Sequence, residues 1–437
     1  MIKKYSDEAA YTAAGVPTDE SRIAQIESTN DIKVDGVNVQ VDVPQPGDAV
    51  YYDEEEAVFF KGGDQLNPAK LPNNIRDNKI GVVTDIVGDY AVVLNKDTTS
   101  LKYCDVLQYQ LNAPTLDGTE HTQSIGLWLS NTSYASATTI SFTYSATTLS
   151  AVVAALNTAI DAKKEEVSFN QVVWAYMADA DNNKVTDDAD ATKIIVQIDT
   201  WNDYRQYQVQ GGTFITWGDM PVNNNSGYRV NSKTGGSKIM SVSRAAIYFS
   251  TNGRTPTAMV QPNENEQIIT LAAFNGEYGR VLRNTYSSYE KYIAAEYSIM
   301  HPQKLGVFNL PDGKTLTQKY GNMTAPTRDG NTKYKFPAMH YTLTVGYNVK
   351  NLKVGDWYLP GVDEGTVFME DTRRNILNKT AAKMNISQIS NSSLRWFSQR
   401  SSVSYAWIFG GSNGTLSTNF VCNSGLVQGV ALLKIKH

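Results

Sequence analysis

The stretch from Gly355 to Ile435 constrains this chain more than any other part of it. Trp357, Trp396 and Trp407 are three of its seven tryptophans and lie within fifty positions of one another. An indole carries a large apolar surface and an N–H that needs a partner when buried, so tryptophans this close together demand a dense interior. The pattern around them is irregular. Gly355-Asp356-Trp357-Tyr358-Leu359-Pro360 opens the stretch and a polar, helix-like segment follows. Arg395-Trp396-Phe397-Ser398-Gln399, Ser404-Tyr405-Ala406-Trp407 and Asn413-Gly414-Thr415-Leu416-Ser417 come next, and an apolar run from Val430 to Ile435 closes it. Short strands between turns, pinned by large aromatics, predict a compact body with little regular structure. On this reading the three tryptophans are core.

The order and spacing of these segments resemble the C-type-lectin-like domain in the form found in surface and phage proteins of the Bacteroidetes group. There a D-W-x-L-P motif precedes a helix. W-[SF]-S and aromatic-Ala-Trp segments and a Gly-turn hairpin follow, and an apolar strand ends the domain. One departure is Gln428, which stands near the place where many relatives carry Arg. Formylglycine-generating enzymes share the fold and use a cysteine pair, whereas Cys422 is the only cysteine of this region. The resemblance implies a display face after the second helix, made of Gln399, Arg400, Ser401, Ser402, Tyr405, Trp407, Asn413, Asn419, Asn423 and Ser424. It also implies a host surface glycan or protein as the partner of that face.

The chain of 437 residues leaves room for roughly three domains. Tyrosine (25) nearly doubles phenylalanine (13), and such amphipathic rings suit wet β surfaces and binding faces. The net charge of −5 comes without a basic tract, which speaks against a nucleic-acid partner. Cys104 and Cys422 are the only cysteines, too few for a disulfide framework and without metal-ligand spacing. No apolar run approaches the ~18 residues of a membrane span. The start, Met-Ile-Lys-Lys-Tyr-Ser-Asp-Glu, is basic but lacks the apolar core of a signal peptide. These features predict synthesis in a cytoplasm and, for work outside a cell, an exit other than a signal peptide, of which release by lysis inside a virus particle is one.

Taken in order, the chain divides into four expected parts and an α+β, β-rich multidomain fold. Residues 1–45 form a small arm. Tyr5 to Ala14 is weakly helical, Thr18 to Ser21 can start a second helix carrying Ile23 and Ile26, and Val37, Val39, Val41 and Val43 alternate as a strand. So short an arm needs a partner to lie on. Its pattern of Ala-Tyr-Thr-Ala-Ala, Pro-Thr-Asp-Glu-Ser and Asp-Gly-Val-Asn-Val resembles N-terminal segments of virion proteins from crAss-like phages. That resemblance implies particle docking through Tyr5, Tyr11, Ile23, Ile26, Val37, Val39 and Val41, with the major capsid protein or another virion protein as the partner. Residues 46–100 read as a small β-barrel or sandwich module. Residues 101–212 read as α+β, with Leu149, Val152, Val153, Leu156 and Ile160 on one helical face and Thr148 as its cap. Residues 213–437 form the lectin-like domain with a long lead-in. It includes a helix over Ser287 to Ile299, a loop and hairpin from Pro302 to Thr315, and a helix from about Val362 to Met384 capped by Asp363.

Catalytic and metal-binding motifs are weak. Gly410-Gly411-Ser412-Asn413-Gly414 has the written form of a serine nucleophile elbow, but a strand-like Thr415-Leu416-Ser417-Thr418 follows where that elbow needs a helix. Asp312-Gly313-Lys314-Thr315 ends like a phosphate loop but has Phe308 where the first glycine belongs. Asp53-Glu54-Glu55-Glu56 reads as a solvated turn. Asp179, Asp181, Asn183, Asp187 and Asp190 echo a calcium loop with Lys184 in place of its glycine, and a polar loop is the plainer reading. His121, His301, His340 and His437 are scattered. Trp201-Asn202-Asp203 lacks the proline partner of calcium-dependent sugar sites. The sequence therefore predicts a non-enzymatic virion protein without metal or cofactor, of head-fibre or capsid-decoration type and closing as a homotrimer. A tail-associated receptor-binding protein or a bacterial adhesin is the alternative.

Overall fold

Val82 and Val83 are neighbours in sequence yet pack into different cores, because successive side chains of a strand leave opposite faces. Val82 joins Ala49, Tyr51, Val92, Leu94 and Val430, whereas Val83 joins Val50, Ile80, Val93, Ala431 and Leu433. The strand is thus buried on both sides, and runs such as Ile80-Gly81-Val82-Val83 are apolar throughout rather than alternating. In this computed structural model the described residues are 3–6, 8–13, 15, 23–26, 31–34, 37–40, 44–71, 73–87, 90–127, 138–166, 172–199, 209–220, 229–230, 247–248, 313–347, 349–366, 371–390, 393–401, 405–410 and 415–435. Strand outweighs helix by 39% to 24%, so the protein is α+β and β-rich.

The elements follow in chain order. The arm contributes β1 (Lys3–Tyr5), α1 (Glu8–Ala13), β2 (Ile23–Ile26), β3 (Asp31–Val34) and β4 (Val37–Gln40). Next come β5 (Ala49–Asp53), β6 (Glu56–Phe60), α2 (Asn73–Arg76), β7 (Lys79–Val87), β8 (Tyr90–Asn95) and β9 (Thr99–Lys102). The middle holds β10 (Val106–Leu111), β11 (Glu120–Leu127), β12 (Thr138–Ser145), α3 (Leu149–Glu166), β13 (Val172–Ala178), β14 (Lys193–Asp199), β15 (Val209–Gln210) and β16 (Gly212–Phe214). After the short pair β17 (Arg229–Val230) and β18 (Ile247–Tyr248) come α4 (Gly313–Tyr320), β19 (Thr324–Pro326), β20 (Thr332–Tyr334), α5 (Pro337–Thr344), α6 (Val362–Thr366) and α7 (Asp371–Met384). The chain closes with β21 (Arg395–Arg400), β22 (Tyr405–Gly410), β23 (Thr415–Phe420), β24 (Ser424–Val427) and β25 (Val430–Lys434).

Two sheets tie the beginning of the chain to its end. The nine-stranded sheet runs β1-β2-β3-β4-β6-β5-β7-β8-β25, and the five-stranded sheet runs β23-β22-β21-β24-β9. The C-terminal strand β25 is antiparallel to β8, with Leu432 opposite Val92. In return, β9 is antiparallel to β24, with Leu101 opposite Gly425. Segment 46–100 is therefore not a separate module, and the expected boundary at residue 100 falls where the chain passes from one shared sheet to the other. The two sheets face each other across one core. Tyr51, Val92 and Val430 enter it from the first, Phe397, Trp407 and Phe409 from the second, and Leu377, Ala381 and Met384 from α7.

The middle of the chain packs on the far side of the five-stranded sheet. Trp396, Ala406 and Ile408 share a core with Leu107, Tyr109, Ile125, Phe142, Val173 and Val196 from two further sheets. Helix α3 covers this core with Val152, Leu156 and Ile160, each fully buried, on the face its spacing predicts. Its cap differs from the expectation. Asp188, far along the chain, accepts the Ser150 amide at 2.8 Å and its hydroxyl at 2.5 Å. Thr148 contributes only a 3.1 Å contact with the Ser150 hydroxyl.

The tryptophans are buried, as expected, but they do not share one core. Trp396 lies in the central aromatic cluster, Trp407 between the two sheets, and Trp357 beyond the nine-stranded sheet with Val349, Leu352 and Leu433. Each fastens a different interface. The anchor of the central cluster is Tyr103, which meets Trp396 at 5.6 Å and Trp217 and Phe336 at 6.2 Å. Its hydroxyl donates to the Ser398 carbonyl at 2.6 Å.

Gln428 is buried and bonded at both ends of its amide. It is 4% exposed; its Oε1 accepts from Arg395 Nη1 and its Nε2 donates to the Asn95 carbonyl, both at 2.6 Å. Arg395 also donates to the Gln388 carbonyl. Burial brings its pKa down to about 10, so it stays charged at neutral pH. A second arginine at 428 would set two buried cations together, whereas an amide serves both partners.

Local propensity failed at several places. Ile23 to Ile26 is a strand rather than the expected helix, because β1 and β3 pair with it on either side. Gly313 to Tyr320 is a helix where turn chemistry suggested a hairpin; Leu316, Thr317 and Tyr320 form its buried side. Of the expected second helix, α6 and α7 are described, and residues 367–370 between them lie outside the described residues. The Val362 amide donates to Gln399 Oε1 and the Gly361 amide to Glu364 Oε2, both at 2.7 Å, so these two side chains hold the helix start, while the side chain of the expected cap, Asp363, lies outside the described residues. The helix expected over Ser287 to Ile299 and the strand residues Val41 and Val43 lie outside the described residues.

The shared sheets make the first hundred residues depend on the last ten. Leu433→Ala, which empties a fully buried position beside Val93 and Trp357, is expected to cost about 2–5 kcal/mol. The loss should appear in the urea unfolding transition of the whole chain. Gln428→Ala strands a buried cation and a carbonyl, and is expected to cost about 3–5 kcal/mol in the same measurement.

Candidate functional site

The face expected after the second helix is divided by burial. Gln399, Arg400 and Trp407 are 4%, 8% and 8% exposed. Gln399 holds the start of α6. Arg400 donates to the Met220 carbonyl from Nε (3.1 Å) and Nη2 (2.5 Å), with its guanidinium 5.5 Å from the Trp217 ring centroid. Trp407 fills the core between the sheets. These three are structural and are withdrawn from the candidate face. The reason is alternation: β21 and β22 are inner strands of a sheet buried on both sides, so either orientation of a side chain leads inward.

Of the remaining described members, Ser401, Tyr405, Asn419 and Asn423 gather beside β23. Tyr405 meets Phe420 with ring centroids 4.3 Å apart. Asn423 Nδ2 donates to Asn419 Oδ1 at 2.9 Å, and the Ser401 amide donates to the Tyr405 carbonyl at 2.8 Å. Ser424 is exposed and pairs with Lys102. Ser402 and Asn413 lie outside the described residues. The hairpin of β22 and β23 pairs Gly410 with Thr415, so Ser412 is flanked by two antiparallel strands. A nucleophile elbow requires a helix in the second place.

A second polar constellation is sealed in the middle of the fold. On β10, β13 and β14, Gln108 Nε2 donates to the Tyr176 hydroxyl at 2.9 Å and to Gln197 Oε1 at 2.8 Å. Gln197 Nε2 donates to Asp199 Oδ1 at 2.7 Å, and Trp174 Nε1 donates to Asp199 Oδ2 at 2.8 Å. Burial raises the Asp199 carboxyl above its ordinary range, opposed by the Trp174 and Gln197 hydrogen bonds. The Pro326 carbonyl of β19 accepts from Gln197 and closes the network. Gln108, Gln197 and Asp199 are each at most 4% exposed, so this network specifies packing and offers no approach to a substrate.

The acidic loop is likewise occupied by its own chain. Asp179 accepts the amides of Asp181 and Asn183 and the Asn183 side chain, which holds its carboxyl below the usual range. Asp188 caps α3. Among the described residues, no group of three or more His, Cys, Asp or Glu is placed to hold a metal ion. The acidic turn at 53–56 is the tip of the β5–β6 hairpin, where Lys350 forms an ion pair with Glu55 and Asn74 donates to Asp53. His121 bonds Asp117 at 2.8 Å, while His301, His437 and Trp201-Asn202-Asp203 lie outside the described residues. Cys104 and Cys422 are free and buried. Among the described residues, no helix is long and apolar enough to cross a membrane.

One open cavity stands apart from these structural networks. It holds about 420 Å³ and is lined by Gln318, Asn322, His340, Leu343, Thr344, Val354 and Gly355. Helices α4 and α5 form its walls, and they approach closely at Gly321. A Cβ there would meet the Thr317 carbonyl at 2.6 Å and Leu343 Cδ1 at 2.7 Å. Tyr334 stacks on His340 with the planes 14° apart. Burial holds the His340 imidazole below its ordinary 6.5, with the Gly321 backbone opposing, so the ring is neutral at pH 7. The sequence reading set His340 aside as an isolated histidine. Its cavity neighbours come from three segments, α4, α5 and the 354–355 turn, which no local motif connects.

Compared with known proteins, the chain matches no family model, no curated protein and no solved structure.

The His340 ring makes stability depend on pH. Its folded-state pKa is below the unfolded value, so the unfolded chain binds more protons between the two. Stability is complete above about pH 6.5 and falls as pH drops through that window. NMR titration of the His340 ring is expected to give a midpoint below 6.5, and His340→Gln should flatten the pH slope of the urea midpoint there.

Proposed function

We propose that this chain is a structural binding protein of a phage particle, of head-fibre or capsid-decoration type. Residues 1–45 dock on a neighbouring virion protein, and the body carries a lectin-like display surface toward the host. The observation that carries this reading is the position of the arm. Strands β1 to β4 extend the nine-stranded sheet outward from β6, through the register Val39↔Phe60 and Gln40↔Phe59. Among the described residues β1 is the outermost strand, and an outer strand offers backbone donors and acceptors to a strand of another chain. Of the docking residues, Tyr5 is in β1 at that edge, while Ile23, Ile26, Val37 and Val39 are in β2 and β4, whose backbone is already paired on both sides. Tyr11 is in α1 and Val41 lies outside the described residues.

The body behind the arm supports display rather than turnover. Burial raises several of its tyrosines and Cys104, and the Asp199 network is enclosed. The Tyr405–Phe420 pair and the Asn419–Asn423 amides form a small aromatic and polar edge on a sheet held from both sides. Such an edge loses little conformational freedom on binding.

Deletion of 1–45 is expected to leave a body that unfolds cooperatively within a few degrees of the full chain. Mixed with particles lacking this protein, the full chain should be retained and the truncated chain should be lost to background. Retention of the truncated chain at the full-length level would refute docking through the arm.

A further inference from the structure

The cavity between α4 and α5 has a chemical character that its surroundings do not require. Its lining contains the side-chain amides of Gln318 and Asn322, the hydroxyl-bearing Thr344, the imidazole of His340 and the apolar Leu343 and Val354. Among the described residues, no carboxylate, ammonium or guanidinium lines it. With His340 neutral at pH 7, the site is polar but uncharged. A carboxamide places a donor and an acceptor side by side, which matches a pair of neighbouring hydroxyl groups. Leu343 and Val354 offer the apolar contact needed by the C–H face of a pyranose ring, and the volume is within the ~300–1,000 Å³ of small-ligand clefts.

The rim is built to keep an apolar group in water. Val354 is 67% exposed, the most open of the large hydrophobic residues among those described. Two glycines allow this. Gly355 has φ +90°, in the left-handed region, and a Cβ on Gly346 would lie 2.2 Å from Val354 Cγ2. Behind the cavity, the Tyr334 ring is 41% exposed and stacked on His340, so the aromatic pair has a face toward solvent. An exposed isopropyl group, an imidazole and two amides around one opening form a neutral, amphipathic receptor.

We propose that this cavity is a binding subsite for one uncharged sugar residue of a surface glycan. The assignment rests on the display reading above and specifies its ligand class, but it concerns a surface separate from both the arm and the β23 edge. Gln318 and Asn322 hold the sugar hydroxyls, and Val354 with Leu343 covers the less polar ring face.

The test uses the full chain and a panel of methyl glycosides of glucose, galactose, mannose, N-acetylglucosamine, fucose and rhamnose, read by saturation-transfer NMR and then by titration. At least one glycoside is expected to bind. Gln318→Ala and Asn322→Ala, both at exposed positions, should each weaken it about tenfold without moving the thermal midpoint, and Val354→Asp should abolish it. The assignment is overturned if no glycoside gives saturation transfer, or if affinity survives the Gln318→Ala/Asn322→Ala double variant. It is also overturned if only galacturonate, sialic acid or a peptide digest binds. Glycoside binding lost in Asn423→Ala but kept in the cavity variants would overturn this site and move recognition to the β23 edge. Particle retention of the full chain is scored separately, so a failure here and a failure of arm docking give different results.

Discussion

The Tyr103 side chain sits where four distant parts of the chain meet. Its ring touches Trp217, Phe336 and Trp396, and its hydroxyl is fastened to the Ser398 carbonyl. Ring pairs of this kind contribute about 0.5–1.5 kcal/mol each beyond the area they bury. Around Tyr103 the contacts continue: Trp217 stacks on Phe336 at 5.3 Å, Tyr320 meets Phe336 at 6.1 Å, and Arg400 lies over Trp217. The helices that wall the cavity, the sheets of the middle segment and the C-terminal strands are therefore referenced to one another through one aromatic cluster. The Trp396 indole adds a bond to the Leu101 carbonyl, in the strand that β9 supplies to the C-terminal sheet.

The exchange of β9 and β25 explains why the body resists division into modules. Each of two sheets is completed by a strand from the opposite end of the described chain, and Gln428 and Arg395 sit at the crossing with Asn95. A buried cation served only by neutral acceptors is costly to disturb. Such a body suits the proposed role, in which two surfaces would keep a fixed relation, one toward a particle and one toward a ligand. The arm continues the same sheet edgewise from β6, through a backbone register.

Placement of the functional surface follows from which positions the layers leave outside. Gln399, Arg400 and Trp407 have the residue types of a binding face, but their strand is interior, and each is consumed by a helix start, a carbonyl or a core. The two polar positions on α4 and the turn after it, Gln318 and Asn322, are unremarkable in sequence and stand at the mouth of a cavity. Acidic clusters behave in the same way. Asp188 and Asp179 look like cation ligands in a linear reading and serve as acceptors for a helix start and a turn.

Much of the local structure was legible from residue spacing. The inward face of α3 and the pairing of β22 with β23 follow from periodicity and turn chemistry, which act over a few residues. Burial of the three C-terminal tryptophans was determined as well, because an indole has few alternatives to a core. Which core each enters was not. Trp357, Trp396 and Trp407 divide among three interfaces because adjacent strands are buried on both faces, and the partner layers come from residues hundreds of positions away. The strand at Ile23–Ile26, the helix at Gly313, the cap from Asp188 and the cavity beside His340 were decided by the tertiary structure. Each depends on a backbone or side-chain partner that long-range packing supplies and that local propensity does not encode.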